Sequence, residues 1–442
     1  MTPSSTVSAG SRNYTDRSSL RSSLRSLALA AAIAVNLTSV TPALAQDPAK
    51  PPPDSLAARL ERAEEEIALL RQQLADQSQT VVQARSKVTF ELNGRVLMNA
   101  FSNSRSVNNL DVPLYVRPDS ATGLPQGGVG VGVRQTTLGF AVTAPDVFGA
   151  VFSGDMEVDF FGGQYDASTT PLVRLRTARA WLRWKNAELM MGQDAPLMSP
   201  LNPLSLAAVG VPGFSSAGNL WAWLPQVRVG VETSGHVKFG VQGAVLAPTG
   251  GSPSDASSLE PDIAQRSKRP FLETRAHVRW GADDLAADVG LSTHAGWFAT
   301  PNSTSLRQSS GVGADAMVPL AKWIELRGEW YSGDGMQGLG GGAIGQLFDL
   351  NFRPIHSTGM WGQVNLKPST RVTLGGGFGF DDPDDKDLPA DARLKNVVNE
   401  VHLHLRPAGP IVVGFEYRRI ETTYATGKFA SDHFNLAVGF VF

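Results

Sequence analysis

The residue pattern that most restricts this chain is its C-terminal end. Phe434, Leu436, Val438, Phe440 and Phe442 alternate with Asn435, Ala437, Gly439 and Val441. A repeat of two is the mark of a strand whose two faces meet different surroundings. A soluble edge strand can alternate too, but it seldom sets five large apolar side chains opposite small and polar ones. In a membrane barrel one strand face meets lipid and the other a water-filled lumen, which gives this text.

The same grammar recurs upstream. Candidate strands cover 88–101, 131–144, 149–162, 172–184, 187–193, 221–232, 235–247 and 270–280. Eight more cover 284–295, 308–318, 321–333, 355–367, 370–381, 394–406, 410–422 and 428–442. Links after even-numbered strands are short, as at Pro145-Asp146, Lys185-Asn186 and Lys367-Pro368. Those after odd-numbered strands are mostly long: 102–130, 194–220, 248–269 and 334–354. Short turns at one end and long loops at the other are the layout of a bacterial outer-membrane barrel. The expected fold is therefore all-β, a 16-stranded antiparallel transmembrane barrel over 87–442. A C-terminal strand ending in Phe also resembles the signal by which such barrels are recognised for assembly. A soluble β-sandwich or β-helix is the competing class, but no solenoid repeat is present. All nine Trp fall between Trp181 and Trp361, and Trp221, Trp280 and Trp323 stand near expected strand ends, as interfacial girdles require.

The N-terminal region reads differently. Arg12, Arg17, Arg21 and Arg25 precede the apolar run Leu27–Val35, and Ala43-Leu44-Ala45 offers a cleavage site before Gln46. That is a secretory signal peptide over 1–45. A Pro-rich linker follows at 46–55. Leu56, Leu60, Ala63, Ile67, Leu70 and Leu74 then recur in steps of four and three, so 56–82 is expected to form a short helical coiled coil on the periplasmic side. A lone amphipathic helix is the alternative.

Composition removes other classes. With Cys 0 there are no disulfides, thiolate metal sites or cysteine nucleophiles. The net charge of -2 lacks the basic excess of a nucleic-acid binder. No run of 18 apolar residues is present to cross a membrane as a helix. The string GGGAIG at 340–345 matches a nucleotide-binding fingerprint in letters only, because no βαβ context surrounds it. The acidic stretch 381–387 lacks the glycine of an EF-hand loop, and His402 and His404 have no clear third ligand. No cofactor, metal or catalytic residue is expected, and no Ser/His pair can be placed for a barrel lipase.

Sixteen strands leave an aqueous channel. Taking the apolar parity as outward, the expected pore-lining charges are Arg95, Arg174, Arg176, Arg228, Arg275, Arg279, Arg327, Arg418, Asp155, Glu157 and Asp159. Glu91, Glu232, Lys238, Glu273, Asp288, Asp315, Glu325, Glu329, Arg371, Glu400, Arg406 and Glu416 share the inward parity. Trp181 and Arg183 leave the parity of the fourth strand ambiguous. Acids and bases nearly balance, so the tally does not fix ion selectivity. Asp159 and Glu157 should oppose Arg174 and Arg176 across a hairpin. These arginines are either neutralised partners or part of a basic wall that steers anions. The loop 194–220 is rich in Pro, Gly and small apolar residues with one charge, Asp194. It either folds into the barrel or packs at a subunit contact.

Several passages resemble the DcaP-type trimeric porins, relatives of the phosphate-selective porins. They include VDFFGG (158–163), VRLRTARAWLRW (173–184), SPLNP (199–203), GMQGLGGGAIGQ (335–346), RPIHSTGMWGQVNLKP (353–368) and DDPDDKDL (381–388), in the family's order. The resemblance implies a homotrimer in outer-membrane lipid, passing small anionic solutes such as dicarboxylates. It places Arg174 and Arg176 on the pore wall. Thr137 and Arg179 depart from the family pattern, which favours a basic residue and an aromatic there. The competing function is a structural outer-membrane protein whose periplasmic coiled coil contacts the cell wall.

Overall fold

A computed structural model describes residues 81–83, 88–119, 127–162, 171–251, 260–301, 303, 305–386 and 388–442. Sixteen antiparallel strands close into one barrel. They are β1 (Thr89–Asn103), β2 (Gly128–Gly132 continued by Thr137–Val147), β3 (Ala150–Gly162), β4 (Leu172–Arg183), β5 (Ala187–Asp194) and β6 (Leu224–Glu232). Next are β7 (Val237–Leu246), β8 (Phe271–Trp280), β9 (Ala287–Ala299), β10 (Leu306–Ala321) and β11 (Ile324–Asp334). The last are β12 (His356–Ser369), β13 (Val372–Pro383), β14 (Arg393–Leu405), β15 (Ile411–Tyr424) and β16 (Gly427–Val441). β16 returns to pair with β1, from His433↔Asn103 to Val441↔Arg95, so the sheet has no free edge at its seam.

The expected alternation of connections holds. Links at 148–149, 184–186, 233–236, 281–286, 322–323, 370–371 and 406–410 are short. The other end carries 104–127, 195–223, 247–270 and 335–355, with 300–305 and 425–426 the short exceptions. The outer face is an apolar belt. Leu272, Val241, Val401, Phe415, Phe434 and Phe440 are exposed on it, while their sequence neighbours turn inward. At the long-loop rim the belt gives way to ion pairs such as Arg419–Asp432 at 3.1 Å.

Three sequence readings need correction. Val81–Gln83 is a short strand paired with Thr89–Glu91, so Val81 and Val82 do not extend a helix; residues 1–80, with the signal, linker and remaining coiled-coil readings, lie outside the described residues. Trp221 stands in the loop before β6, inside the barrel, rather than in an outer girdle. Trp184, Trp280, Trp323 and Trp330 are the exposed ones. The second strand is not continuous over 131–144. Residues 133–136 make a turn closed by Thr136 N–H donating to Val133 O at 3.0 Å, and this sends Arg134 and Gln135 inward.

Candidate functional site: the constricted lumen

The loop 195–223 folds into the barrel. A segment this poor in charge must satisfy its backbone somewhere other than bulk water, and it does so on the wall's polar side chains. Glu329 of β11 accepts from Leu201 N–H at 2.7 Å, Ser199 Oγ at 2.5 Å and Asn219 Nδ2 at 3.3 Å. Trp361 Nε1 donates to the same carboxylate at 2.8 Å. Glu416 of β15 accepts from Leu206 N–H at 2.6 Å, Ala207 N–H at 3.0 Å and Ser205 Oγ at 2.7 Å. Gln363 both receives Leu204 N–H at 2.8 Å and donates to Leu204 O at 3.0 Å. On the opposite side Gln135, freed by the break in β2, accepts from Val209 and Gly210 N–H at 2.7 and 2.8 Å. Asn99 and Asn396 donate to Leu206 O and Ser216 O.

The wall is also shaped for the loop. Phe214 stacks on Trp361 with ring centroids 5.9 Å apart. It presses so close to β13 that Cβ atoms built on Gly377 and Gly379 would lie 2.7 and 2.8 Å from its ring. A Gly379→Val protein should therefore lose the seat of Phe214. Overpacking of this kind costs about 1–3 kcal/mol, read as a lower unfolding temperature in detergent.

Latching leaves the free space on one side. Glu273, Arg275, Glu400, Glu416 and Arg418 are all 4% exposed or less, sealed beneath the loop. Along β3 and β4, by contrast, the side chains of Arg174, Glu157 and Arg179 keep 25, 32 and 32% exposure. Inward charges on that wall therefore keep contact with solvent.

The charges there are organised by one irregularity. Glu157 faces Thr177 while Val158 faces Leu175, so Arg176 is an extra residue, a β-bulge in β4. A bulge inserts one residue and shifts the strand's parity. Arg174 and Arg176 before it, and Arg179 and Trp181 after it, therefore all reach the interior. This resolves the ambiguous parity of the fourth strand. Arg174 Nη2 lies 2.7 Å from Asp159 and also donates to Gly210 O; Arg176 pairs with Glu157. Arg179 Nε donates to Asp155 at 2.9 Å, and its Nη1 to Asp194 at 3.0 Å. Trp223 receives the guanidinium planes of Arg174 and Arg176 at 5.2 and 4.8 Å, a cation–π arrangement.

The expected lining residues thus divide. Asp155, Glu157 and Arg174 stay partly exposed on the β3–β4 side, whereas Arg176 is nearly buried and Asp159 wholly so. Arg95 shares their inward parity on β1, opposite Thr137, with no ion pair among the described residues. Arg279 lies near the short-turn end, bound to Asp288 at 2.7 Å and Glu232 at 3.1 Å. Arg275, held by Asp315 and by Asp288 at 2.7 Å, and Arg418, held by Glu416 at 3.1 Å, are correctly inward but buried. Burial beneath the loop removes them from any solute path. Arg228 is nearly closed off too, with Nη2 donating to Ala195 O at 2.8 Å, and Arg327 is tied to Glu325 and Asn202 O. Arg371 and Arg406 sit in or beside short turns rather than on the wall. Arg179, Arg134 and Gln135 were not among the expected lining residues. Only the bulge and the strand break bring them in; the bulge's one trace in the sequence is the ambiguous parity at Trp181 and Arg183, and the break leaves none.

A closed sixteen-stranded barrel narrowed by an internal loop can be compared with known architectures. The crystal structure of the outer membrane channel DcaP of Acinetobacter baumannii superposes with a TM-score of 0.63 at 17% identity, over 82% of this chain and 99% of that one. The barrel has the porin fold of the DcaP channel. An anion-selective porin from Comamonas acidovorans is similar as well, with a TM-score of 0.53 at 13% identity, over 80% of this chain and 100% of that one. No family model and no curated protein matches the chain.

Proposed function

We propose that the chain is an outer-membrane porin through which small hydrophilic solutes, preferentially small anions such as dicarboxylates, diffuse passively. The observation that carries this reading is the latched loop 195–223. It narrows a closed barrel, and beside it the inward guanidiniums of Arg174 and Arg179 keep contact with solvent, which supports a passage there. A structural anchor would need no internal constriction held by so many separate hydrogen bonds.

In this reading residues 1–45 direct export and are removed near Ala45. The short turns face the periplasm, the coiled coil of 56–82 lies on that side, and three copies assemble in outer-membrane lipid. The outward apolar belt and polar rim support the membrane setting. The acids beside the passage arginines do not abolish anion handling. A paired guanidinium still presents N–H donors toward the lumen, and Arg95 supplies charge with no ion-pair partner among the described residues.

Purified protein in planar bilayers should open in steps of three, with a reversal potential on the anion side. Bilayers that stay silent overturn the porin reading, whereas a cation preference removes only the anion part. The R174A/R176A protein should lose anion-over-cation preference by roughly sevenfold per charge, because anion and cation shift in opposite directions. That follows from about 0.6 kcal/mol for a unit charge acting at ~7 Å through water. An unchanged reversal potential would make these arginines purely structural.

A further inference from the structure

Four loops meet at the long-loop end around a cavity of about 250 Å³, lined in part by Tyr115, Arg117, Trp221, Gly251, Gly341 and Arg393. Among the described residues no acidic side chain lines it. Its two guanidiniums differ from those of the passage below. Arg174, Arg176 and Arg179 each hold a carboxylate. Arg117 and Arg393 have no ion-pair partner among the described residues. Both line this one cavity.

The cavity is held in shape by specific contacts. Arg393 lies over the Tyr115 ring at 4.5 Å. Its Nε donates to Ile344 O at 2.9 Å, and its backbone N–H donates to Gln346 Oε1 at 3.0 Å. Arg117 N–H donates to Ser106 O at 3.0 Å, and Tyr115 N–H to Asn108 Oδ1 at 3.1 Å. Trp221 on the cavity wall meets Trp223 edge to face at 5.6 Å, and Trp223 carries Arg174 and Arg176 on its ring. The mouth and the passage therefore share a continuous aromatic wall.

We propose that this cavity is a docking site for a small organic carboxylate, which it captures at the mouth and hands to the Arg174–Arg176 wall. The proposal rests on the anion-porin reading and names where the anion first binds. Uncompensated positive charge in a low-dielectric mouth raises the local concentration of anions. Paired guanidinium N–H groups match a carboxylate's two oxygens. The volume is below the roughly 300–1,000 Å³ of drug-sized sites, so only a compact solute fits.

Succinate serves as the probe in planar bilayers, added to either side while current block is recorded. The wild-type channel should be blocked at lower concentration from the long-loop side. The R117Q and R393Q variants should each weaken that block, and the double variant by about tenfold. R105Q, which breaks the rim pair Arg105–Asp119 of 2.9 Å outside the cavity, is the control and should block as the wild type does. Equal block from both sides, an unchanged affinity in R117Q, or an equal loss in R105Q would overturn the proposal. Because R117Q removes a side chain with no structural hydrogen bond among the described residues, it tests the idea even should R393Q fail to fold. A wild-type channel that never conducts would instead bring down the porin reading on which this site depends.

Discussion

Replacing both Glu329 and Glu416 by alanine should widen the pore, with a larger and noisier single-channel conductance than the wild type. The two carboxylates accept hydrogen bonds from Ser199, Leu201, Asn219, Ser205, Leu206 and Ala207, all on the inserted loop. A hydrogen bond to a charged group contributes about 1.5–3 kcal/mol, and the donors left behind would be buried without partners. Losing even two such bonds at each latch removes roughly 6–12 kcal/mol of loop attachment. That exceeds what Gln135, Gln363 and Asn99 can offset from neutral bonds of about 1 kcal/mol each. The barrel itself should persist, because its strand ladders do not involve these side chains. A double variant with wild-type conductance and wild-type noise would show that the loop is held by packing, through Phe214 on Trp361, rather than by the carboxylates.

The second large effect is expected at Arg179. Its guanidinium spans Asp155 and Asp194 on the open side of the lumen. Arg179→Gln would leave two carboxylates facing the passage, with Arg228 reaching Asp194 only at 3.5 Å. One unit of positive charge is lost where solutes pass. By Coulomb's law in water that is about 0.6 kcal/mol at ~7 Å for each ion, of opposite sign for anion and cation, or roughly a sevenfold change in the anion-to-cation ratio. The sign is toward cations. Asp155→Asn should move the reversal potential the opposite way, and the two shifts should largely cancel in the double variant. If R179Q leaves the reversal potential where it was, solutes do not pass along β3 and β4.

The sixteen strands were legible because each must separate an apolar belt from a polar interior, and that demand writes itself every second residue. The expected 394–406 and 410–422 match β14 and β15 to within a residue or two at each end. The links were legible for the same reason, since Gly, Pro and charged residues interrupt the alternation. What the alternation cannot carry is a change of phase. Arg176 adds one residue to β4 and moves Arg179 across the wall, and its one trace in the letters is the ambiguous parity at Trp181 and Arg183. The break at 133–136 is similar: Val131 and Val133 continue the alternation, but the backbone turns and sends Arg134 and Gln135 inward to meet Asp111 and the loop. Exposure was the other blind spot. Parity placed Arg275 and Arg418 on the correct face but said nothing of the loop that covers them. The arginines of the mouth, Arg117 and Arg393, lie where loops converge, and no local pattern links positions so far apart in the chain.

The bare backbone of β13 opposite Phe214 ties two distant stretches of sequence to one dimension of the molecule. A chain that lengthened its inserted segment to narrow the bore would find no recess for it unless the barrel side were trimmed at the same time. Transplanting the segment into a barrel with ordinary side chains at those two positions should leave it perched inward and the opening smaller than intended. Attempts to redesign the bore must therefore vary both partners together, since neither alone sets the width.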